Sequence, residues 1–310
     1  LYFDEVVAVS DTLLANYPTQ LTRTDFSTTV TNTTTGTIYY ADTSKGRTYY
    51  FAGNPTDNWV YFGGFYWRII RINENGTIRM IYQGSGANTT GTNTQIQTST
   101  FNSSADNSMY VGYMYTSGQV HGLGTSSTIK GVLDQWYQNN LTSVADKIDG
   151  NAGFCGDRQP STDSSTSNGS GGTGTTWTYY GADIRLITNK APTFECENES
   201  DLYTMSGSNQ GNGTLTYPIG LITADEVAYA GGVYGSSNQS YYLYTGQDYW
   251  TMSPCRFYGG WARVLPVRSN GGLGCYNVNL MYGVRPVINL KANVTIQSGD
   301  GSSTNPYVIS

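Results

Sequence analysis

Residues 60 to 84 read VYFGGFYWRIIRINENGTIRMIYQG, and no other stretch of the chain limits the fold as firmly. Two alternating apolar runs flank Asn75-Gly76. Asn and Gly accept positive φ at low cost, so this pair between such runs signals a β-hairpin. Trp67, Ile69, Ile70, Ile72, Ile78, Met80 and Ile81 are its core candidates.

Helical signatures are few. Residues 5 to 16 hold one plausible helix before a Thr-rich tract. In STIKGVLDQWYQNNL, Ser127 or Thr128 can cap a helix that carries Ile129, Val132, Leu133 and Trp136 at helical spacing. A shorter helix is expected from Ser143, with Val144 and Ile148 inward. In YPIGLITADEVAYAGG, Thr223 and Glu226 form a capping box, Val227 and Ala228 face inward, and Gly231-Gly232 ends the turn. Tracts rich in Ser, Thr, Asn and Gly, at 84–108, 156–176 and 206–213, read as surface excursions. Near the end, GVRPVINL reads as a buried strand, and GDGSSTNPYVIS as a turn followed by a short strand. Few helices among many short strands predict an α+β domain over residues 49–310, preceded by a lead-in segment or stalk at 1–48.

Only 12% of the 310 residues are charged, whereas Gly numbers 38 and Tyr 27. That is the composition of a β-rich protein with a polar, uncharged surface, a style common outside the cell. Aromatic content of 14% and a net charge of -6 set it apart from disordered chains. No apolar run is long enough to span a bilayer, and the expectation is an extracellular or surface-anchored ectodomain cut from a longer precursor. A pI near 4.7 disfavours nucleic acid as a partner.

Several chemistries lack their residues. His121, in a Gly-rich loop, is the single histidine, so neither a His-based triad nor a multi-His metal site can be assembled. No phosphate-binding loop, dinucleotide fingerprint or Cys-x-x-Cys occurs, and no cofactor is implied. Asp157, Asp183, Glu195, Asp225 and Glu226 could include an acid/base pair, but each is better explained as a turn, cap or surface residue. Of the four cysteines, Cys155 and Cys196 each lie beside a Phe and are expected to bridge the flexible tract between them. Cys255 and Cys275 either pair locally or leave one reactive thiol; pairing is favoured, because no nearby base would activate a thiolate.

Those last two cysteines stand in SPCRFYGGWARVLPVRSNGGLGCYNVNLMYGVRPVINL, residues 253–290, whose first two-thirds has neither helical nor strand period. WTMSP, a Gly-rich stretch and then GVRPVINL resembles the carboxy-terminal end of variable proteins of diversity-generating retroelements. FGGFYWRIIRINENGTIRMIY, YVGYMY, IKGVLDQWY, FCGDR, YPIGLITADEVAYAGG and GDGSSTNPYVI resemble blocks of bacterial surface ectodomains with that ending. The resemblance implies a C-type-lectin-like fold of the formylglycine-generating-enzyme type, with short antiparallel sheets, a few helices and long surface loops. It also implies a variable region at about 255–282. Fixed scaffold positions would be Trp250, Met252, Ser253, Pro254, Phe257, Gly259, Gly260, Ala262, Val264, Val267, Ser269, Leu273, Val278 and residues 283–290. The ligand-facing, changeable positions would be Arg256, Tyr258, Trp261, Arg263, Leu265, Pro266, Arg268, Tyr276, Asn277, Asn279, Leu280, Met281 and Tyr282, together with Cys255 and Cys275.

The residue types agree with that expectation on separate grounds. Tyr, Trp and Arg anchor interfaces, while Ser, Gly and Asn supply adaptable polar contacts. From Tyr249 to Gly299 there is no Asp or Glu, yet Arg256, Arg263, Arg268, Arg285 and Lys291 occur. This predicts a locally basic face for an acidic partner: a protein or glycan on another cell, phage or host surface. Membrane attachment would come only through an anchor outside this sequence. The expected function is non-enzymatic ligand binding or adhesion. The alternatives are a glycan-binding adhesin of fixed specificity and a formylglycine-generating-type oxidase using Cys255 and Cys275. No Glu-Pro-Asn-like or Gln-Pro-Asp-like triplet for calcium-dependent sugar binding occurs.

Overall fold

The hairpin forms between Phe65–Ile72 and Ile78–Gly84, with Ile72 opposite Ile78. Its loop is wider than a two-residue turn: the Asn73 N–H donates to the Thr77 carbonyl, and only Gly76 takes positive φ, at 79°. Asn75 accepts through its side chain from the Thr77 N–H and hydroxyl instead. All seven core candidates are buried. The structure is a computed structural model and describes residues 9–163, 171–206 and 214–309.

Among the described residues the hairpin is the centre of a nine-stranded sheet. One edge of Phe65–Ile72 is shared by Gly46–Tyr50 and Trp59–Phe62, the first pairing near its end and the second near its start. Ile78–Gly84 pairs on its outer side with Val287–Leu290, the strand inside GVRPVINL. Neighbours on both sides and burial on both faces explain why these strands are apolar nearly throughout. The sheet is mixed rather than short and antiparallel: Tyr307–Ile309 runs parallel to Trp59–Phe62, and Thr19–Leu21 parallel to Thr37–Thr43.

Residues 9–48 are built into this body rather than standing off as a stalk. Val9, Leu13, Tyr17 and Ile38 join the main core. Thr37–Thr43 pairs along its length with Gly46–Tyr50, and Asn16 donates from Nδ2 to the Tyr307 hydroxyl at 3.1 Å. The first helix spans Val9–Ala15; its expected start at residue 5 lies outside the described residues.

The helix Thr128–Asn140 is capped by Ser127, whose hydroxyl accepts from the Lys130 N–H. The turn after it, Thr142–Lys147, is a 3-10 helix rather than an α-helix; Ile148 is buried and Val144 half-buried. The helix Ala224–Ala230 has the full Thr223/Glu226 capping box, and Gly231 ends it at a φ of 113°. A further helical segment, Gly181–Asp183 continued by Ile184–Asn189, had no counterpart in the sequence reading. The surface tracts are described only outside 164–170 and 207–213. The fold class is α+β.

Candidate binding face

The glycine-rich ribbon is ordered into a second sheet of four strands: Thr178–Tyr179, Pro254–Tyr258, Trp261–Val264 and Tyr276–Asn277, in that order. Gly259 and Gly260 turn the central hairpin with φ of 62° and 82°, conformations that side chains with a Cβ rarely adopt. Strand alternation then divides the sequence. Cys255, Phe257, Ala262 and Val264 point into the core, whereas Arg256, Tyr258, Trp261 and Arg263 point away from it. Arg256 stands opposite Arg263, Tyr258 opposite Trp261, and Arg263 opposite Asn277. Asn279, Leu280 and Met281 continue past Asn277 toward the Trp261 end, and all three are exposed.

The positions expected to change do not all share this face. Tyr276 pairs with the inward Val264, so it lies on the opposite side from Asn277. There it meets Arg268, whose guanidinium carbon sits 4.1 Å above its ring, and Tyr282, with ring centroids 6.2 Å apart. Tyr282 in turn lies against the buried Trp250. Arg268, Cys275 and Tyr276 line a small cleft of about 200 Å³ with Tyr234 and Asn270. Leu265 and Pro266 are buried, as is Cys255, so none of the three reaches a ligand. Leu265, expected to face a ligand, is buried because the chain leaves the strand after Val264 and turns inward, the Leu265 N–H donating to the Ser253 carbonyl.

Of the five basic residues expected to form this face, two are paired with carboxylates from elsewhere in the chain and a third is buried. Arg256 donates from Nε to Asp183 at 2.6 Å, and Arg268 to Asp248 at 2.7 Å. Arg285 is fully buried and donates to the Tyr82 carbonyl and to Gln83 Oε1, holding the core strand rather than facing solvent. Arg263 differs: its Nε donates to Asn277 Oδ1 at 3.0 Å, and among the described residues it forms no ion pair.

Two contributors to the face come from outside the ribbon. Trp177 precedes the edge strand and packs on Tyr258, with ring centroids 4.6 Å apart. Asp183 lies buried beneath, and burial pushes its carboxyl up to about 6 against the opposing pull of Arg256. The alternation Trp177-Thr178-Tyr179 at the end of a Gly/Ser tract was a legible strand signal; nothing in the sequence marked Asp183 as the partner of Arg256.

Both disulfides are formed, Cys155–Cys196 and Cys255–Cys275. Asp183, Cys255 and Cys275 make the one group of potential metal ligands found among the described residues. With both sulfurs bonded to each other, that group offers a metal ion a single carboxylate and no thiolate.

A separate cleft of about 330 Å³ corrects the reading of the carboxylates. Asp157 and Asp225 line it as buried, ion-paired residues rather than surface ones; Glu226, buried beside them, keeps its expected capping role, and Glu195 is exposed at the rim. Arg185 bridges Asp157 and Asp225 at 2.5 and 2.9 Å, while Arg71 and Arg79 converge on Glu226 at 3.2 and 2.6 Å. Burial raises the Asp157 carboxyl well above the ordinary range; Arg185 opposes this and Asp225 adds to it. Every buried charge here is matched by another, which is the pattern of a structural ion network. His121 is also tied in, its Nδ1 2.8 Å from the buried Asp201, which Arg158 clamps from the other side.

No protein-family model, curated protein or solved structure matches the chain. Among the described residues no helix is long and apolar enough to cross a membrane. The two disulfides fit a chain that matures in an oxidising compartment.

Proposed function

We propose that this chain is a non-enzymatic binding protein, displayed outside the cell, whose ligand meets the outer face of the four-stranded sheet. In this reading it is a variable protein of a diversity-generating retroelement on a C-type-lectin-like scaffold of the formylglycine-generating-enzyme type. One observation carries the proposal: through 254–264 and 276–281 the residues expected to be fixed are buried, apart from the turn glycines Gly259 and Gly260, whereas most of those expected to change are at the surface. Inward Phe257, Ala262, Val264 and Val278 hold the sheet, so outward positions can vary without touching the core. An exposed set of Trp, Tyr, Met and Arg is also what protein interfaces favour at their centres.

Two tests separate the parts of the claim. The coding DNA should have a near-copy of the segment for residues 255–282 beside a reverse transcriptase gene; without one the retroelement assignment fails and an adhesin of fixed specificity takes its place. Randomising positions 256, 258, 261, 263, 277 and 279–281 together should leave most library members folded. Randomising 257, 262, 264 and 278 should unfold nearly all. Equal losses in both libraries would refute the division into scaffold and display. An oxidase role gains no support from the geometry, because Cys255 is fully buried and bonded to Cys275.

A further inference from the structure

The binding face has a member that the changeable run does not encode. Trp177 is 45% exposed and packs at a tilt against Tyr258, itself 39% exposed, while Trp261 across the strand pair is 44% exposed. Its position is set by backbone pairing, since Thr178 and Tyr179 register with Phe257 and Arg256. Tyr179 carries the Arg256 guanidinium 4.8 Å above its ring, so the edge strand supports both ends of the outward row. A large indole left this open to water has no role in the core, and its neighbours are the proposed ligand contacts.

The charges on the same face are arranged unevenly. Arg256 and Arg263 are cross-strand partners, a like-charge juxtaposition that is unfavourable unless neutralised. Asp183 neutralises one of them only. Arg263 spends its Nε on an amide oxygen, which leaves its two terminal nitrogens for a planar, bidentate acceptor. A carboxylate arriving from a partner would complete the pair as Asp183 completes Arg256. Leu280 and Met281 extend the apolar surface beyond Trp261, with Met281 60% exposed. Flexible thioether and aliphatic side chains beside two indoles suit the mixed apolar contacts of a polypeptide better than the hydroxyl-rich faces of a sugar.

We propose that the face binds a polypeptide segment in which a carboxylate stands beside an apolar side chain, with Trp177 as a constant aromatic anchor and Arg263 as the carboxylate's partner. This rests on the reading of the four-stranded sheet as the binding face. It adds that specificity has a fixed component, supplied from before the changeable region, on which each variant builds.

The test is selection of a random linear peptide library displayed on phage against the intact, disulfide-bonded chain. Selected peptides should be enriched in Asp or Glu next to aromatic or aliphatic residues. Their affinity should fall by about tenfold or more in Trp177→Ala and be largely kept in Trp177→Phe. Arg263→Met should lose the preference for acidic peptides, and Arg263→Lys should recover it only in part, since an ammonium cannot present the guanidinium fork. Unchanged thermal unfolding midpoints in the four variants keep these effects from being a loss of fold. The outcomes distinguish the two claims. Peptides that tolerate Trp261→Ala, Tyr258→Ser and Trp177→Ala alike bind elsewhere, and the face itself is wrong. Peptides that lose binding in Trp261→Ala but not in Trp177→Ala overturn the constant anchor alone. Selected peptides without acidic enrichment overturn the role of Arg263. A face that selects no peptide but retains a sulfated heparin fragment overturns the polypeptide.

Discussion

Leu265 and Met281 occupy the same ribbon and meet opposite surroundings. Leu265 is fully buried, so Leu265→Ala should cost about 2–5 kcal/mol in denaturant unfolding. Met281→Ala should change stability by less than about 0.5 kcal/mol, because little contact is lost at an exposed site. Asp183 supplies a pH-dependent effect. Its folded value of about 6 lies above the roughly 3.9 of an unfolded Asp, so the folded chain holds this proton more tightly. Its contribution is therefore complete below about pH 4 and is lost as pH rises through about 6. Comparing denaturant midpoints of the wild type and Asp183→Asn from pH 4 to 7 should show this downward component only in the wild type. At this scale the sequence revealed side chains by type but not their partners. Arg256, Arg268 and Arg285 looked like one basic patch, because Asp183, Asp248 and the Tyr82 carbonyl that engage them lie 73, 20 and 203 positions away.

At the scale of elements, local signals were reliable wherever a local interaction decides. The Thr223/Glu226 box formed because both hydrogen bonds close within one turn, and Thr223→Ala should cost about 1 kcal/mol in thermal or denaturant unfolding. The hairpin at Asn75-Gly76 was equally legible, though its loop is wider than the dipeptide alone implies. The four-stranded sheet was not legible, because two of its strands have only two residues and gain their register from the strands beside them. The disulfide Cys155–Cys196 joins residues 41 apart, so replacing both cysteines by Ser should lower stability by about 4 kcal/mol on loop entropy alone.

For the molecule as a whole, the α+β class followed from the mix of signals, but the size and mixed direction of the central sheet did not. Long-range pairings such as Ile78–Gly84 with Val287–Leu290, and Tyr307–Ile309 with Trp59–Phe62, depend on where distant strands find free edges. The first 48 residues lacked a strong periodic pattern, yet they supply Val9, Leu13, Tyr17 and Ile38 to the common core. Deleting residues 1–48 should therefore abolish cooperative unfolding, where removal of a detached stalk would leave it intact.

Cys255 and Cys275 close a covalent ring around the Gly259-Gly260 hairpin and the residues after it. Arg256 and Arg263 lie within paired strands of that ring, whereas Arg268 precedes the exposed Ser269 and Asn270, where a trypsin-like protease finds its most open site. A single cut there would leave two fragments joined through sulfur, which separate on a gel only after reduction. The strand pairings on either side would still hold the cut ends in register, so a nicked molecule would keep Trp261 and Tyr258 at the surface.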